Sequence, residues 1–285
     1  MYTMAFISDM DEGDLIFSEK IGSGRCSDVY RALNCKTNEY VAVKIINKGP
    51  LNNESSTSEF EIYSNTKLYH RDIIKCMGWF ENGKNVYMLY EYAPDGDLFE
   101  FLIRSDDILK ETEVKHIIKP IIRAVTHIHA KKWIHRDIKP ENILLFKGVQ
   151  SKVGDLEFAV NTNELIPCER VGTLSYMAPE VLDCDENKQM MLKAKGVAGY
   201  GSEIDCWSIG VLTYECLLKI APFVGNNFEE IHESIKNYDI HFGNISENAQ
   251  DFILRCLEPD PLKRIKARDM LCHEWFNELK YCLFC

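Results

Sequence analysis

The most informative residues of this sequence lie between His135 and Asn142, in the order His-Arg-Asp-Ile-Lys-Pro-Glu-Asn. The run is too polar for a buried strand, and Pro140 prevents a continuous helix. Asp137 can accept a proton from a hydroxyl group, Lys139 can neutralise a transferring phosphoryl group, and Asn142 can help to hold a divalent cation. The types and order of these side chains therefore predict phosphoryl transfer to a hydroxyl nucleophile.

The composition restricts the class of protein that could contain such a loop. The chain has 285 residues, of which 46 % are hydrophobic and 27 % are charged, as is usual for a globular protein with a substantial core. The sequence contains no run of about 18 apolar residues, so we expect no transmembrane segment. A formal net charge of −11 argues against nucleic acid as a partner and is compatible with basic peptide substrates.

The eleven cysteines are scattered and odd in number, and no Cys-x-x-Cys pair faces a second pair. Reduced thiols in the cytoplasm or nucleus are therefore favoured over a disulfide framework or a zinc site. The last four residues, Cys282 to Cys285, fit a loose prenylation pattern, but no basic cluster precedes them. Prenyl anchoring at Cys282 is thus the less favoured alternative.

The elements that must position the loop change in character along the chain. The first part predicts short β-branched or aromatic strands and one helix, at Ser58–Tyr69. After the turn Ala93-Pro94-Asp95-Gly96, longer helices dominate, and the last of them is predicted at Ala267–Phe276. The sequence therefore predicts an α+β protein with a strand-rich part at 1–93, which begins with an acidic extension at 1–14, and a helix-rich part at 94–285.

The loop at His135–Asn142 resembles the catalytic loop of eukaryotic protein kinases, and the resemblance extends from about Phe17 to Phe276. Lys139-Pro140-Glu141 and the later Gly172-Thr173 are similar to the serine/threonine branch, in the neighbourhood of the calcium/calmodulin-dependent, Aurora and Polo-like groups. The resemblance implies one bilobal catalytic domain, with a small β-rich lobe, a larger helical lobe and a nucleotide cleft between them. It also implies ATP and Mg²⁺, with Mn²⁺ as an alternative metal, and Ser or Thr acceptors in protein substrates.

The nucleotide-binding residues implied by the resemblance begin in the glycine-rich loop, where Ser27 stands at the position of the third glycine. Val41-Ala42-Val43-Lys44 resembles the strand whose lysine binds the α- and β-phosphates. Glu61 is the favoured partner of Lys44 on helical phase, with Glu59 as the alternative. Tyr90 precedes the predicted hinge and indicates a small back pocket. The candidate nucleotide contacts are Ile21, Gly22, Ser23, Gly24, Val29, Ala42, Lys44, Glu91, Ala93, Asp97 and Leu144.

The metal ligands implied by the resemblance are Asn142 in the catalytic loop and Asp155 in the kinase metal motif. The motif is Asp155-Leu156-Glu157 in this chain, where the family has Asp-Phe-Gly, so a carboxylate replaces a glycine. We expect Glu157 to point to solvent and to restrict the flip of this segment to an inactive form. The alternative is that Glu157 disturbs the metal geometry and makes the chain a pseudokinase, a scaffold with weak or no phosphotransfer.

The activation segment differs from the family at its regulatory position. Many kinases carry a phosphorylatable threonine three residues before the glycine at Gly172, and here that position is Glu169. We hypothesise that the Glu169 carboxylate pairs with Arg136 and partly replaces a phosphate. A solvated loop acid is the alternative, because Thr162 and Ser175 remain candidate phosphorylation sites.

Three further side chains have roles implied by the resemblance. Thr173 is expected to hydrogen-bond near Asp137 and Lys139 in the activation segment. Glu180 and Arg264 are expected to form a buried ion pair, which is a structural feature of the fold. Asp205 is expected to anchor the catalytic loop.

The acidic side chains also bear on substrates and partners. Glu141 lies where basophilic kinases bind an arginine, so we expect a basic residue upstream of the acceptor. The polar connection at 183–196 is either a docking element or a plain loop, and the loop is favoured. We expect a monomer that acts on protein substrates, and an activating partner is left open.

Overall fold

The computed structural model describes residues 7, 9–24, 27–48, 55–105, 107–147, 150–165, 167–184 and 199–277, with the backbone alone at 55–60. The chain forms two compact units. The first consists of Met1–Pro94 and Gly154–Glu157, and the second of Asp95–Val153 and Phe158–Cys285. The segment that contains the metal motif therefore belongs to the strand-rich unit, although the chain reaches it from the helical one. Cys282 and residues 185–196 of the polar connection lie outside the described residues.

An antiparallel five-stranded sheet forms the first unit, in the order β1-β2-β3-β5-β4. Its strands are rich in β-branched and aromatic side chains, which favour extended backbone. Asn38 adopts a φ of 58° in the turn between the second and third strands, and asparagine tolerates this left-handed conformation. The strands are β1 (Leu15–Ser23), β2 (Ser27–Asn34), β3 (Glu39–Asn47), β4 (Cys76–Glu81) and β5 (Asn85–Glu91).

One face of this sheet buries the apolar core of the unit. Phe80 and Tyr87 pair across β4 and β5, and their stacked rings lie 4.7 Å apart between centroids. Val41 and Val43 also belong to this core, so the alternation of side chains in β3 places Lys44 on the opposite face. The buried members of the core are Met10, Leu15, Ala32, Val41, Val43, Phe80, Tyr87 and Leu89.

The helix predicted in the first unit is present as α1 (Ser55–Lys67). It begins three residues earlier than the predicted Ser58–Tyr69 and ends two residues earlier. Glu61, Ser64 and Asn65 are buried on α1 although all three are polar. Buried polar side chains require hydrogen-bond partners, and these three find them in the site described below.

The second unit is mainly helical, which agrees with the α+β class predicted from the sequence. Its helices are α2 (Leu98–Arg104), α3 (Glu111–Ala130), α4 (Pro179–Leu182), α5 (Glu203–Leu218), α6 (Phe228–Asn237), α7 (Glu247–Cys256) and α8 (Ala267–Met270). Two small antiparallel sheets pair β6 (Trp133–Ile134) with β9 (Val160–Asn161) and β7 (Ile143–Phe146) with β8 (Gln150–Val153). Within the described part of the chain, none of the helices has the length and apolar character needed to cross a bilayer.

Helix α5 forms the centre of the second unit, with thirteen of its sixteen residues buried. A helix that is apolar on all sides is stable only when other elements surround it. A Cβ atom at Gly210 would lie 2.6 Å from Cβ of Cys256, so the absence of a side chain allows α5 and α7 to approach closely. This packing fixes Asp205, near the start of α5, in the interior of the unit.

The last helix is shorter than predicted, because α8 ends at Met270 rather than at Phe276. The backbone N–H of Trp275 donates to Nδ1 of His273, and the indole N–H of Trp275 donates to the carboxylate of Glu111 at 2.9 Å. Hydrogen bonds from side chains to nearby backbone compete with helix formation. The contact with α3 therefore replaces the last predicted turns.

Arg264 and Glu180 form the buried ion pair expected from the sequence. Nη1 and Nη2 of Arg264 lie 2.6 and 3.0 Å from the two carboxylate oxygens of Glu180. The guanidinium group also donates to the backbone carbonyl oxygens of Glu203, Glu258 and Pro259. The charge of this buried arginine is thus compensated. Because the guanidinium group bonds to Glu180 in α4 and to Glu203 in α5, it connects α4 to the start of α5.

Replacing the arginine of this pair will strongly destabilise the second unit. Arg264→Met leaves the largely buried Glu180 carboxylate without its cation, and we expect the free energy of unfolding to fall by about 3–5 kcal/mol. Urea unfolding measures the loss. The matched control is Arg255→Met, which breaks an exposed pair with Asp251 and costs less than about 1 kcal/mol. Equal losses in the two variants would contradict the expected role of the buried pair.

Candidate active site

Strands β1 to β3 place predicted nucleotide-binding residues side by side. Gly22 pairs with Val29, and Val29 pairs with Lys44, so three candidate positions form one row across the sheet. Ala42 lies two residues before Lys44, and its side chain is therefore on the same face. The exposed neighbours of Gly22 in the glycine-rich loop are Ile21, Ser23 and Gly24.

Lys44 is buried, and carboxylates surround its ammonium group. Nζ lies 2.9 Å from Glu61 and 2.9 Å from Oδ1 of Asp155. The Glu61 side chain is only 1 % exposed, so Glu61 is a buried partner of Lys44. The sequence favoured Glu61 for this role and kept Glu59 as the alternative. Burial acts to lower the pKa of Lys44, but the attraction of Asp155 and Glu61 outweighs it and raises the pKa above its usual value. The ammonium group therefore keeps its charge.

Tyr90 and Asn65 orient the Glu61 carboxylate. The Tyr90 hydroxyl donates to Oε1 of Glu61 at 3.0 Å, and Asn65 donates to the same hydroxyl at 3.2 Å. Burial raises the pKa of Tyr90 well above its usual value, so the hydroxyl remains a donor. The sequence indicated only the bulk of Tyr90, because the hydrogen bond depends on how α1 packs against β5.

Glu157 does not point to solvent, so that expectation is wrong. Its side chain is 15 % exposed, and Oε2 lies 3.4 Å from Nζ of Lys44. The Ser64 hydroxyl donates to the backbone oxygen of Leu156 at 3.3 Å, which holds this segment next to α1. The ammonium group of Lys44 attracts the carboxylate inward, because a buried cation is stabilised by each anion that can reach it.

The same residues fit a divalent cation. Glu61, Asp155 and Glu157 each offer a carboxylate oxygen, and these oxygens lie within 4.8 Å of one another. Three carboxylates around one ammonium group leave an excess of negative charge, and carboxylate oxygens are the ligands that Mg²⁺ prefers. The chemistry of the donor set is thus compatible with Mg²⁺, and Asp155 is the predicted ligand within it.

In the second unit, Asp137 lies at the centre of a network of predicted catalytic side chains. The Thr173 hydroxyl donates to Oδ1 of Asp137 at 2.8 Å, and Nζ of Lys139 lies 3.0 Å from Oδ2. Lys139 also donates to the Thr173 hydroxyl at 2.8 Å. Asn142 donates to Oδ2 of Asp137 at 2.9 Å and to its backbone oxygen at 2.8 Å. These contacts orient the Asp137 carboxylate, as the sequence predicted for Thr173.

Asp205 anchors the backbone on which Asp137 stands. Its carboxylate accepts the backbone N–H groups of His135 and Arg136, each at 2.9 Å, and the ring of His129 lies 2.8 Å away. Burial acts to raise the pKa of Asp205, but His129 and the hydrogen bonds hold it below its usual value. The carboxylate therefore stays charged and keeps Arg136 in a left-handed conformation with φ 72°.

The predicted ion pair between Arg136 and Glu169 is not formed. Nε of Arg136 donates to the backbone oxygen of Phe158 at 2.6 Å, and Nη1 donates to the Tyr200 hydroxyl at 3.3 Å. Tyr200 in turn donates to the backbone oxygen of Glu169 at 2.7 Å, whereas the Glu169 side chain is exposed. The link between Arg136 and position 169 therefore passes through Tyr200, a residue that sequence reasoning missed.

Comparison with known proteins identifies the family. The family described as "Protein kinase domain" matches residues 15–276 of this chain. The chain belongs to the protein kinase family. Myosin light chain kinase A of Dictyostelium discoideum is 34 % identical over 275 residues, which cover 92 % of this kinase and 87 % of the relative. Aurora kinase C of Mus musculus is 31 % identical over 268 residues, which cover 93 % and 92 %. Serine/threonine-protein kinase cds1 of Schizosaccharomyces pombe is 33 % identical over 269 residues, which cover 90 % and 57 %.

The family match confirms several predictions from the sequence. The kinase is an ATP-dependent serine/threonine phosphotransferase with the bilobal fold class of the family, a β-sheet lobe and a helical lobe. Membership also implies protein substrates and a divalent metal, generally Mg²⁺.

Sequence reasoning also missed an acidic side chain of the kinase, Glu215 in α5. The Tyr176 hydroxyl donates to this carboxylate. Burial and the neighbouring Glu141 raise the pKa of Glu215 to about 7. The stretch Cys206–Tyr214 before it carries no charged side chain, and an acid that follows such a stretch in a buried helix was the signal that could have found it, because a charged group there is rare without a specific reason.

The remaining nucleotide candidates of the kinase lie at the ends of elements. Asp97 forms an isolated β-bridge with Leu144, and its carboxylate caps the start of α2. Glu91 is the last residue of β5, and Ala93 is buried shortly after it. Asp97 thus has a structural role as an N-cap in addition to the ribose contact that the sequence predicts.

Removing the Glu157 carboxylate will strengthen nucleotide binding in the absence of metal. The phosphates of ADP must approach Lys44 against three carboxylates, and Glu157→Gly removes one of these negative charges. We expect the Kd for metal-free ADP to fall about tenfold, with a smaller change when Mg²⁺ is present. Fluorescence titration with a labelled ADP measures both values.

Glu157→Gly removes a charge and also makes the backbone more flexible, and Glu157→Gln distinguishes these two effects. Because glutamine keeps the size of the side chain and removes only its charge, it should reproduce most of the gain. An unchanged Kd for metal-free ADP in both variants would contradict the electrostatic explanation.

Proposed function

We propose that this kinase is catalytically competent and phosphorylates Ser or Thr residues that follow basic residues in protein substrates. The observation that supports this proposal best is the network around Asp137, in which Thr173, Lys139 and Asn142 all contact its carboxylate. Such a network orients the Asp137 carboxylate, and a carboxylate held in this way can accept the proton of an acceptor hydroxyl.

Each contact of Asp137 has a distinct chemical role in this proposal. Asp137 orients the acceptor hydroxyl and accepts its proton as the bond to phosphorus forms. Lys139 neutralises the negative charge that develops on the transferring phosphoryl group. Thr173 holds Lys139 and Asp137 together, because its hydroxyl accepts from the first and donates to the second.

The strand-rich unit contributes the groups for the nucleotide phosphates. Lys44 binds the α- and β-phosphates, and Glu61, held by Tyr90, fixes the position of Lys44. Mg²⁺ held through Asp155 would supply further neutralisation of phosphate charge. The glycine-rich loop that contains Gly22 and Gly24 supplies backbone N–H groups to the phosphates.

The alternative, a pseudokinase scaffold, depends on Glu157 alone. The contact of Glu157 with Lys44 is 3.4 Å long, and the contacts of Lys44 with Glu61 and Asp155 are both 2.9 Å. The longest contact is the weakest of the three, so phosphate can displace Glu157 without disturbing the pair that positions the lysine. Glu157 therefore tunes nucleotide binding and does not replace any catalytic group.

The preference for basic substrates rests on a group of acids in the helical unit. Glu141 is exposed, and its negative charge acts after burial to raise the pKa of Glu215 to about 7. Glu141 also contributes to the raised pKa of Asp97, after burial and the charge of Glu100. Basic side chains of a substrate would neutralise these acids, and the net charge of −11 favours the approach of such a substrate.

Free thiols support a location in a reducing compartment. In the described part of the chain, no disulfide is formed by Cys35, Cys76, Cys168, Cys184, Cys206, Cys216, Cys256 or Cys272. Thiols persist where glutathione and thioredoxin keep them reduced, so the cytoplasm or the nucleus fits best. We place the kinase there as a monomer.

Transfer of the γ-phosphate from Mg-ATP to a basic Ser/Thr peptide library tests the proposed activity. Asp137→Asn keeps the size of the side chain but removes the proton acceptor, and we expect kcat to fall by about 10²-fold or more. Asp107→Asn, an exchange of the same type at an exposed position, is the control and should leave kcat unchanged. Equal activity of wild type and Asp137→Asn would refute the assignment, and no transfer by wild type would favour the scaffold.

The pKa of Glu215 predicts a pH-dependent affinity for basic peptides. Its value is raised from 4.5 to about 7, so the carboxyl group is mostly neutral at pH 6 and mostly ionised at pH 8. Only the ionised form attracts a basic side chain, so the KM for a basic peptide should fall on the order of tenfold as pH rises across this range. Glu215→Gln should remove the dependence, and a peptide without basic residues is the control. A KM that is independent of pH in wild type would disprove this role.

A further inference from the structure

The buried hydroxyl of Tyr200 joins two segments that the sequence alone does not connect. It accepts a hydrogen bond from Arg136, which is 64 residues away along the chain, and donates one to Glu169, which is 31 residues away. We propose that Tyr200 is a positioning residue for phosphoryl transfer, which holds the activation segment in order without a phosphate at position 169. This inference rests on the proposed kinase function of the same chain.

The geometry of the hydroxyl supports this role. Tyr200 is only 5 % exposed, and its oxygen accepts from Nη1 of Arg136 at 3.3 Å and donates to the Glu169 carbonyl at 2.7 Å. Burial raises the pKa of Tyr200, so the hydroxyl keeps the proton that it donates. One hydroxyl thus satisfies a guanidinium N–H and a backbone carbonyl at once, which leaves little freedom for either partner.

Arg136 links the position of the Tyr200 hydroxyl to that of the Asp137 carboxylate. It precedes Asp137 directly, and its backbone has a left-handed φ of 72° that the bond to Asp205 maintains. A Cβ atom at Gly172 would lie 2.4 Å from the backbone oxygen of Arg136, so the activation segment packs directly on this peptide. Thr173, the next residue, donates to Asp137. A shift of Arg136 would therefore move Asp137 and the residue that orients it.

The backbone of Tyr200 is itself fixed against the activation segment. The N–H groups of Gly199 and Tyr200 both donate to the backbone oxygen of Pro167 at 3.1 Å. A Cβ atom at Gly199 would lie 2.9 Å from this oxygen and 3.0 Å from Cα of Cys168, so the two segments are in close contact. Helix α5 begins three residues after Tyr200, at Glu203, so this contact ties residues 167–169 to the most buried helix of the unit.

The partners of Arg136 explain why a phosphate is not needed. Its guanidinium group donates to two uncharged acceptors, the backbone oxygen of Phe158 and the hydroxyl of Tyr200. The Glu169 side chain is exposed, and the link from Arg136 to this residue runs through Tyr200 to the Glu169 backbone oxygen. The order of the segment thus depends on hydrogen bonds to uncharged groups, which are present in the protein before any modification.

Tyr200→Phe tests the role of the hydroxyl, with Tyr214→Phe as the matched control. Tyr214 lies in α5, and its hydroxyl donates to the backbone oxygen of His241 at 2.6 Å, so the control also removes one hydrogen bond to a carbonyl. We expect Tyr200→Phe to lower kcat about tenfold with an unchanged KM for ATP, and Tyr214→Phe to keep the wild-type kcat. Urea unfolding of both variants checks that the losses of stability are similar.

Two further measurements separate positioning from general stability. In an Arg136→Met background, Tyr200→Phe should cause no additional loss of kcat, because the partner of the hydroxyl is already absent. Wild type that has been treated with phosphatase and confirmed as unphosphorylated by mass spectrometry should keep its kcat. Additive losses in the double variant, or a loss of activity after phosphatase treatment, would overturn the proposal.

Limited trypsin digestion gives a result that does not depend on catalytic activity. Arg170 is exposed next to Glu169, and cleavage after it should be faster in Tyr200→Phe than in wild type or Tyr214→Phe. If wild type transfers no phosphate, the proposed function fails, but the cleavage rates still test whether Tyr200 orders the segment. Equal cleavage rates in all three proteins would refute the inference about Tyr200.

Discussion

The buried carboxylate of Asp205 is the constraint on which the catalytic part of the helical unit depends. A charge in the interior is stable only when donors surround it, and Asp205 has the His129 ring and the backbone N–H groups of His135 and Arg136. These bonds hold the peptide before Asp137 in a conformation that most side chains avoid. The conformation of that peptide sets the direction of the Asp137 carboxylate and of the Arg136 guanidinium group.

The strand-rich unit also contains a buried charge that is stabilised by surrounding groups, but here the charge is positive. Lys44 is a buried cation whose ammonium group contacts Glu61, Asp155 and Glu157, and Tyr90 fixes the most buried of these acids. Charged groups that are saturated with partners have few alternative positions, so they are suited to orient a substrate. The excess of carboxylates favours binding of a metal cation, whose positive charge would in turn attract phosphate.

Prediction from sequence succeeded where the information is local. The division into a strand-rich and a helix-rich part follows from hydrophobic periodicity, and α1 was placed within three residues of its observed bounds. The contacts of Thr173 with Asp137, and of Arg264 with Glu180, agree with the family motifs. The shortening of α8 was missed because Trp275 bonds to Glu111, a partner 164 residues away.

By itself, the sequence determined the family, the order of the elements and the identity of the groups that can perform phosphoryl transfer, because those properties depend on residue type and short spacing. Only the tertiary structure decided the direction of Glu157 and the partner of Arg136. Glu157 turns inward because Lys44, 113 residues away in the chain, lies beside it. Arg136 bonds to Tyr200 rather than to the Glu169 carboxylate because α5 is buried and brings that hydroxyl to the guanidinium group. Contacts between distant residues follow from packing, and no local pattern in the sequence records them.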